Sequence, residues 1–172
     1  MSKTLTKIQQ GFTIIELLIV IAIIAILAGL VLNNFRGAQA KARDTQRVTR
    51  INSIHSKLEE FYNEYNGYPA SASDTANFPG IDTNAVKDPR GGTLGNTIVA
   101  DAAAMTAAAA PVNGSGNEFK YVAFPTGCDL SLANATATPA GTACQGYRLM
   151  TYIERPTTTT LNPYVKLGLQ NP

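Results

Sequence analysis

The sequence predicts an α+β chain: a long amino-terminal helix, apolar in its first half and amphipathic in its second, packed on a small antiparallel β-sheet. Three observations carry that expectation. Residues 12–32 form an almost unbroken apolar run, residues 35–65 repeat apolar side chains at helical spacing, and two later segments, 119–124 and 147–154, alternate as strands do.

At 172 residues the chain has room for one ordinary domain and a short appendage. It is 45% hydrophobic and 15% charged, too apolar for a disordered chain and poor in charge for a soluble one. Fourteen Lys+Arg stand against twelve Asp+Glu, and Lys3 and Lys7 carry the surplus. Neither a basic nucleic-acid surface nor an acidic tail is supported by that balance.

The run FTIIELLIVIAIIAILAGLVL spans residues 12–32, about 31 Å as a helix, close to the hydrocarbon thickness of a bilayer. It is long enough to cross. A cleavable secretory signal is the competing reading, but the apolar region of such signals holds roughly 7 to 15 residues. Glu16 is the one charged group in the run. A charge at the bilayer centre costs at least about 2.5 to 3.5 kcal/mol, so a carboxylate here must lie near the interface or find a partner. It lies only four positions beyond Phe12, which lets it snorkel in the isolated protein.

Gly11-Phe12-Thr13-Ile14-Ile15-Glu16-Leu17, preceded by the polar leader MSKTLTKIQQ, closely resembles the class III signal of type IV pilins and type II secretion pseudopilins. The resemblance implies a pilin-like fold and a cytoplasmic leader, residues 1–11, which a prepilin peptidase removes by cutting after Gly11 and then methylating the new amino terminus at Phe12. Glycine suits that cut, since without a Cβ the scissile bond can lie extended in a protease cleft. It further implies assembly through Phe12 and Glu16: in a fibre, Glu16 of one subunit would face the Phe12 ammonium of a neighbour, and the penalty for burying either charge alone would fix the stagger. The implied partners are identical subunits in a helical filament, the peptidase, an assembly platform with its ATPase, and the lipid bilayer before assembly. DNA binding has no support in these residues.

The same resemblance sets the location: a single-pass precursor in the cytoplasmic membrane with its amino terminus inside, then a filament at the cell surface. Counting charge alone gives the opposite orientation, because Arg36, Lys41, Arg43, Arg47 and Arg50 follow the run and only two lysines precede it. The signal overrides the count.

Residues 33–66 read as an amphipathic continuation of the helix, with Val48, Ile51, Ile54, Leu58, Phe61, Tyr62 and Tyr65 on one stripe. Asn66-Gly67 followed by Pro69 marks its end, a helix exit similar to that of pseudopilins and related pilins. The basic residues 36–50 are expected on a solvated face, with contact to lipid headgroups or neighbouring subunits as the alternatives. His55, the single histidine, is expected to be solvated or at the edge of the core, since a metal site would need more ligands.

Residues 67–118 are a connecting region rich in turn signals, with one short helix predicted over 100–110 and stopped by Pro111. Residues 119–172 are expected to hold the sheet. Cys128 and Cys144 lie between its two alternating segments, where a disulfide would close the loop, two free thiols being the alternative. The tail is expected as an edge strand or a wrap across the sheet.

No nucleophile and base, paired carboxylates, phosphate-binding glycine loop or Cys/His cluster is visible, so neither an enzyme nor a cofactor is predicted. Pseudopilins of the secretion-fibre body hold calcium on clustered acids near the carboxyl end. Here only Glu154 follows Asp129, which favours a pilus pilin over a secretion pseudopilin. Major pilin, minor pilin and pseudopilin stay open, as does a monomeric membrane-anchored binding protein from another class.

Overall fold

The computed structural model describes residues 12–73, 78, 80–116, 118–132 and 139–171. The leader and Gly11 lie outside the described residues, as does part of the connecting region predicted to be rich in turns. The chain divides into two compact units, Met1–Gln39 and Ala40–Pro172. Helix α1, Ile14–Tyr65, is 52 residues long and belongs to both.

In the first unit every described apolar side chain of the run is exposed, from Phe12 to Leu32. This stretch is long and apolar enough to cross a membrane. In the second unit α1 buries Ile51, Ile54, Leu58 and Phe61, the three- and four-residue steps of the predicted stripe. Asn66 ends the helix in the left-handed region, φ 53°, with its N–H donating to Tyr62 O at 2.7 Å. Gly67 follows because a side chain there would run into Ala143.

The sheet is four-stranded and mixed, in the order β1-β2-β5-β6, with β1 Gly95–Ile98, β2 Phe119–Phe124, β5 Gly146–Thr151 and β6 Tyr164–Leu167. The pairs β2/β5 and β5/β6 are antiparallel, as expected, and β1 adds in parallel beside β2. Parallel neighbours need a crossover. Helix α2, Ala102–Ala107, supplies it from within the alanine-rich stretch predicted to be helical, capped by Asp101 accepting from Ala104 N at 2.8 Å. No strand was expected at 95–98: its side chains are mostly exposed, so the alternation that marks a half-buried strand is missing.

Strand alternation distributes the core between two layers. Phe119, Tyr121, Ala123, Tyr147 and Leu149 share one cluster with Ile51, Ile54, Leu58 and Phe61 of α1. Val122, Phe124 and Met150 face the other way and pack with Met105 of α2. Arg148, the polar position between them, donates to the carbonyls of Met105 and Thr106 at the carboxyl end of α2. A two-stranded ribbon, β3 Ser131–Leu132 and β4 Pro139–Ala140, sits in the excursion between β2 and β5. Cys128 and Cys144 are disulfide-bonded across it.

Candidate functional site: the amino-terminal helix and its seat in the head

Thr13 immediately precedes α1, and Glu16 is its third residue. Thr13 N donates to Glu16 Oε2 at 3.0 Å, Thr13 Oγ1 donates to the same oxygen at 2.6 Å, and Glu16 N donates back to Thr13 Oγ1 at 3.3 Å. That reciprocal pattern is a capping box, which satisfies amides the first turn would otherwise leave unpaired. In the single chain, then, the intramembrane carboxylate has local donors beside an exposed Phe12.

Farther along, the predicted solvated basic face is corrected at three positions. Arg47 is fully buried: its Nε donates to Asp88 Oδ2 at 2.6 Å, and its Nη1 donates to Glu154 Oε1 at 2.8 Å and Asp44 Oδ1 at 3.1 Å. Arg43 clasps Glu154 with two bonds at 2.8 and 2.7 Å, Arg90 adds a third cation at 2.8 Å, and Arg50 donates to Lys87 O at 2.6 Å. Asp44 also receives the backbone N–H groups of Glu154 and Arg155 at 2.9 and 2.8 Å. Three guanidinium groups and three carboxylates thus tie α1, the turn at 88–90 and the segment after β5 into one network. Bonds from Arg43, then Arg47, outweigh burial and hold the Glu154 carboxyl down at about 2. Burial opposes the charge on Arg47, yet Asp88 and Glu154 raise its pKa above the usual arginine value. Spacing could not reveal this, because an arginine on a helix surface and one buried among carboxylates look alike in sequence.

A second seat lies near the end of α1. Glu59 accepts from Tyr147 Oη at 2.8 Å, Tyr68 Oη at 3.0 Å and Leu169 N at 3.2 Å, so one helix carboxylate holds the sheet, the helix exit and the tail. Since Tyr147 Oη donates to Glu59, it accepts from His55 Nδ1 at 2.7 Å. His55 is therefore a core-edge histidine with a protein partner, and burial first of all lowers its pKa. Burial, reinforced by Glu59, pushes the Tyr147 hydroxyl the other way, well above the ordinary tyrosine value. Asn171 finishes the tail by accepting from Tyr147 N and donating to Tyr147 O, each at 3.0 Å. Tyr62 and Tyr68 contact each other at 4.7 Å between ring centres, and Tyr68 meets Tyr147 edge-on at the same distance.

Of the residues singled out in the sequence, Phe12 lies exposed next in the chain to Thr13, the capping partner of Glu16, and Cys128 is joined to Cys144. Arg47, Glu59 and Thr13 were missed. A [ST]-x-x-E pattern ahead of an apolar run was the available signal for Thr13.

The model of the prokaryotic N-terminal methylation motif matches residues 6–32. Over 69 residues the chain is 38% identical to the type IV major pilin protein PilA of Myxococcus xanthus, covering 40% of this chain and 30% of that protein. It is 38% identical over 63 residues to type II secretion system core protein G of Pectobacterium carotovorum, 37% of this chain and 40% of the relative. It is 42% identical over 62 residues to the type IV wide pilus major component PilA4 of Thermus thermophilus, 36% and 47% of the two chains. The chain thus spans less than half the length of these relatives, and no solved structure matches it. The methylation motif and these relatives make the amino-terminal region similar to that of type IV pilins and type II secretion pseudopilins.

Proposed function

We propose that the chain is a prepilin, the precursor of a structural subunit that polymerises through its amino-terminal helix into a type IV pilus or a related filament. The observation that carries the reading is an apolar helix surface, Ile14 to Leu32, exposed along its whole length in the single chain while a carboxylate waits at its start. So much apolar area needs lipid first and other copies later. A prepilin peptidase cuts after Gly11 and methylates Phe12. The precursor is stored in the cytoplasmic membrane with its leader inside and its disulfide-bearing head outside, where thiols oxidise. An assembly platform and ATPase extract it into the filament. There Glu16 exchanges its Thr13 donors for the Phe12 ammonium of a neighbouring subunit, a stronger partner in a dry core.

Glu16→Ala leaves membrane insertion intact and abolishes fibres, seen by electron microscopy of sheared surface material probed for this chain. Wild-type fibre abundance from that variant overturns the pairing. A mature mass that begins at Phe12 supports processing, whereas chains beginning at Met1 in cells with the export apparatus overturn it. The likeness to core protein G keeps a secretion pseudopilin as the second reading. A filament confined beneath the outer surface, with secretion lost when the chain is deleted, selects it.

A further inference from the structure

With Arg43, Arg47 and Arg50 engaged internally, Lys41 and Arg155 are left as exposed cations whose side chains have no partner among the described residues. They come from distant parts of the second unit, yet both line one cleft of about 220 Å³, with Val48, Ile153, Thr157 and Thr160 among its walls. The cleft is more apolar than its composition suggests. Thr45 and Thr49, on the α1 side, turn their hydroxyl hydrogens onto Lys41 O and Thr45 O, each at 3.0 Å, so neither donor is offered to the cleft. Asp44, the acid on this wall, is already saturated by Arg47 and by the N–H groups of Glu154 and Arg155. Its bond to Arg155 N also fixes where that side chain begins.

Two free cations over an apolar slot match an amphiphile with an anionic head and a hydrocarbon body. Position in the chain selects the source. Lys41 follows the last residue of the apolar run by only nine positions in the chain, so it emerges next to the segment that a bilayer would hold. The acids farther along the exposed side of α1 are a poorer match, since Glu60 is held by Lys57 at 2.7 Å.

We propose that Lys41 and Arg155 hold the headgroup of an anionic phospholipid at the mouth of this cleft while the chain is stored in the bilayer. The proposal rests on the membrane-stored precursor reading. It gives the stored subunit a second membrane contact, which assembly must break.

The test uses the full-length chain in nanodiscs of phosphatidylcholine, with and without phosphatidylglycerol. Amide hydrogen exchange is followed at Thr157 and Thr160, whose N–H groups bond to Thr160 O and Thr157 Oγ1. Phosphatidylglycerol slows exchange there by up to about thirtyfold, as two basic side chains near an anionic surface should. The double variant Lys41→Gln/Arg155→Gln loses the effect, and Lys87→Gln, an exposed cation away from the cleft, keeps it. Equal exchange in both lipids for the wild-type chain overturns the proposal without reference to any variant. So does a lipid effect that survives the double substitution. Protection that follows the number of chains per disc instead of the lipid assigns the cleft to a second copy and also overturns it. In each of those cases the chain is in the disc; a chain that never enters refutes the precursor reading itself.

Discussion

The two parts of α1 obey different rules. Residues 14–32 leave every described side chain exposed, whereas residues 40–65 bury Ile51, Ile54, Leu58, Phe61 and a whole arginine. The first part is specified by what surrounds it, so almost any large apolar side chain serves, and only Glu16 with Thr13 has a fixed geometry. The second is specified by what it touches, residue by residue. Helix propensity alone could not make this distinction, since tertiary packing rather than propensity supplies most helix stability. A change in the first part should therefore be felt in assembly, and a change in the second in folding.

Arg47 offers the largest break. Arg47→Ala leaves the buried Asp88 without its guanidinium partner and takes one bond each from Asp44 and Glu154, and should cost about 3–5 kcal/mol, read as a fall in the urea midpoint of the head with the full chain in detergent micelles. Membrane insertion of the same variant should be unchanged. The disulfide comes next. Cys128 and Cys144 are 16 residues apart, and replacing both with serine should remove about 3 kcal/mol by releasing loop entropy to the unfolded chain. A matching fall on reduction of the wild-type chain checks that the bond, not the substitution, is responsible.

Legibility in the sequence follows the same division. The helix stripe, strand β2 and most of β5 were readable because each repeats at the period of its element, the apolar run because it is unbroken, and the end at Asn66 because Asn-Gly and a nearby proline stop a helix. Strand β1 was not, because GNTI lies at a sheet edge with its side chains mostly exposed, and its pairing with β2 depends on a crossover that no local pattern encodes. The charge network was hidden for a related reason. Arg47 reaches Asp88 and Glu154 across 41 and 107 residues, and Glu59 reaches Leu169 across 110. Polar residues at such separations carry no periodic mark.

Acid offers a gentler probe of the head. The Glu154 carboxyl sits at about 2 in the folded chain against an ordinary value near 4.5, so the unfolded chain binds the extra proton between those limits. Its contribution is fully present above about pH 4.5 and is lost as the pH falls toward 2, about 2 kcal/mol after allowance for partial exposure. Glu154→Gln should flatten that acid limb in a melting-temperature profile while lowering stability at neutral pH. His55 shows the same sign through the opposite chemistry. Burial lowers its pKa, so it stabilises the neutral form, and that contribution weakens as the pH drops below the ordinary histidine value.

The smallest effect tests the other part of the helix. Thr13→Ala removes the hydroxyl that donates to Glu16 and accepts from its amide, and the lost cap should cost the first turn about 1 kcal/mol. None of that should reach the head, whose melting temperature stays where it was, because residues 14–32 share no core with it. Fraying is visible in micelles as faster amide exchange confined to the first turn of α1. Glu16, relieved of one of its two local donors, then becomes the sharper probe: if an intersubunit partner takes over the carboxylate, fibres from Thr13→Ala form despite the frayed turn, while fibres from Glu16→Ala do not. Equal loss of fibres in both variants would instead mean that the cap, and not the buried charge, is what assembly requires of this acid.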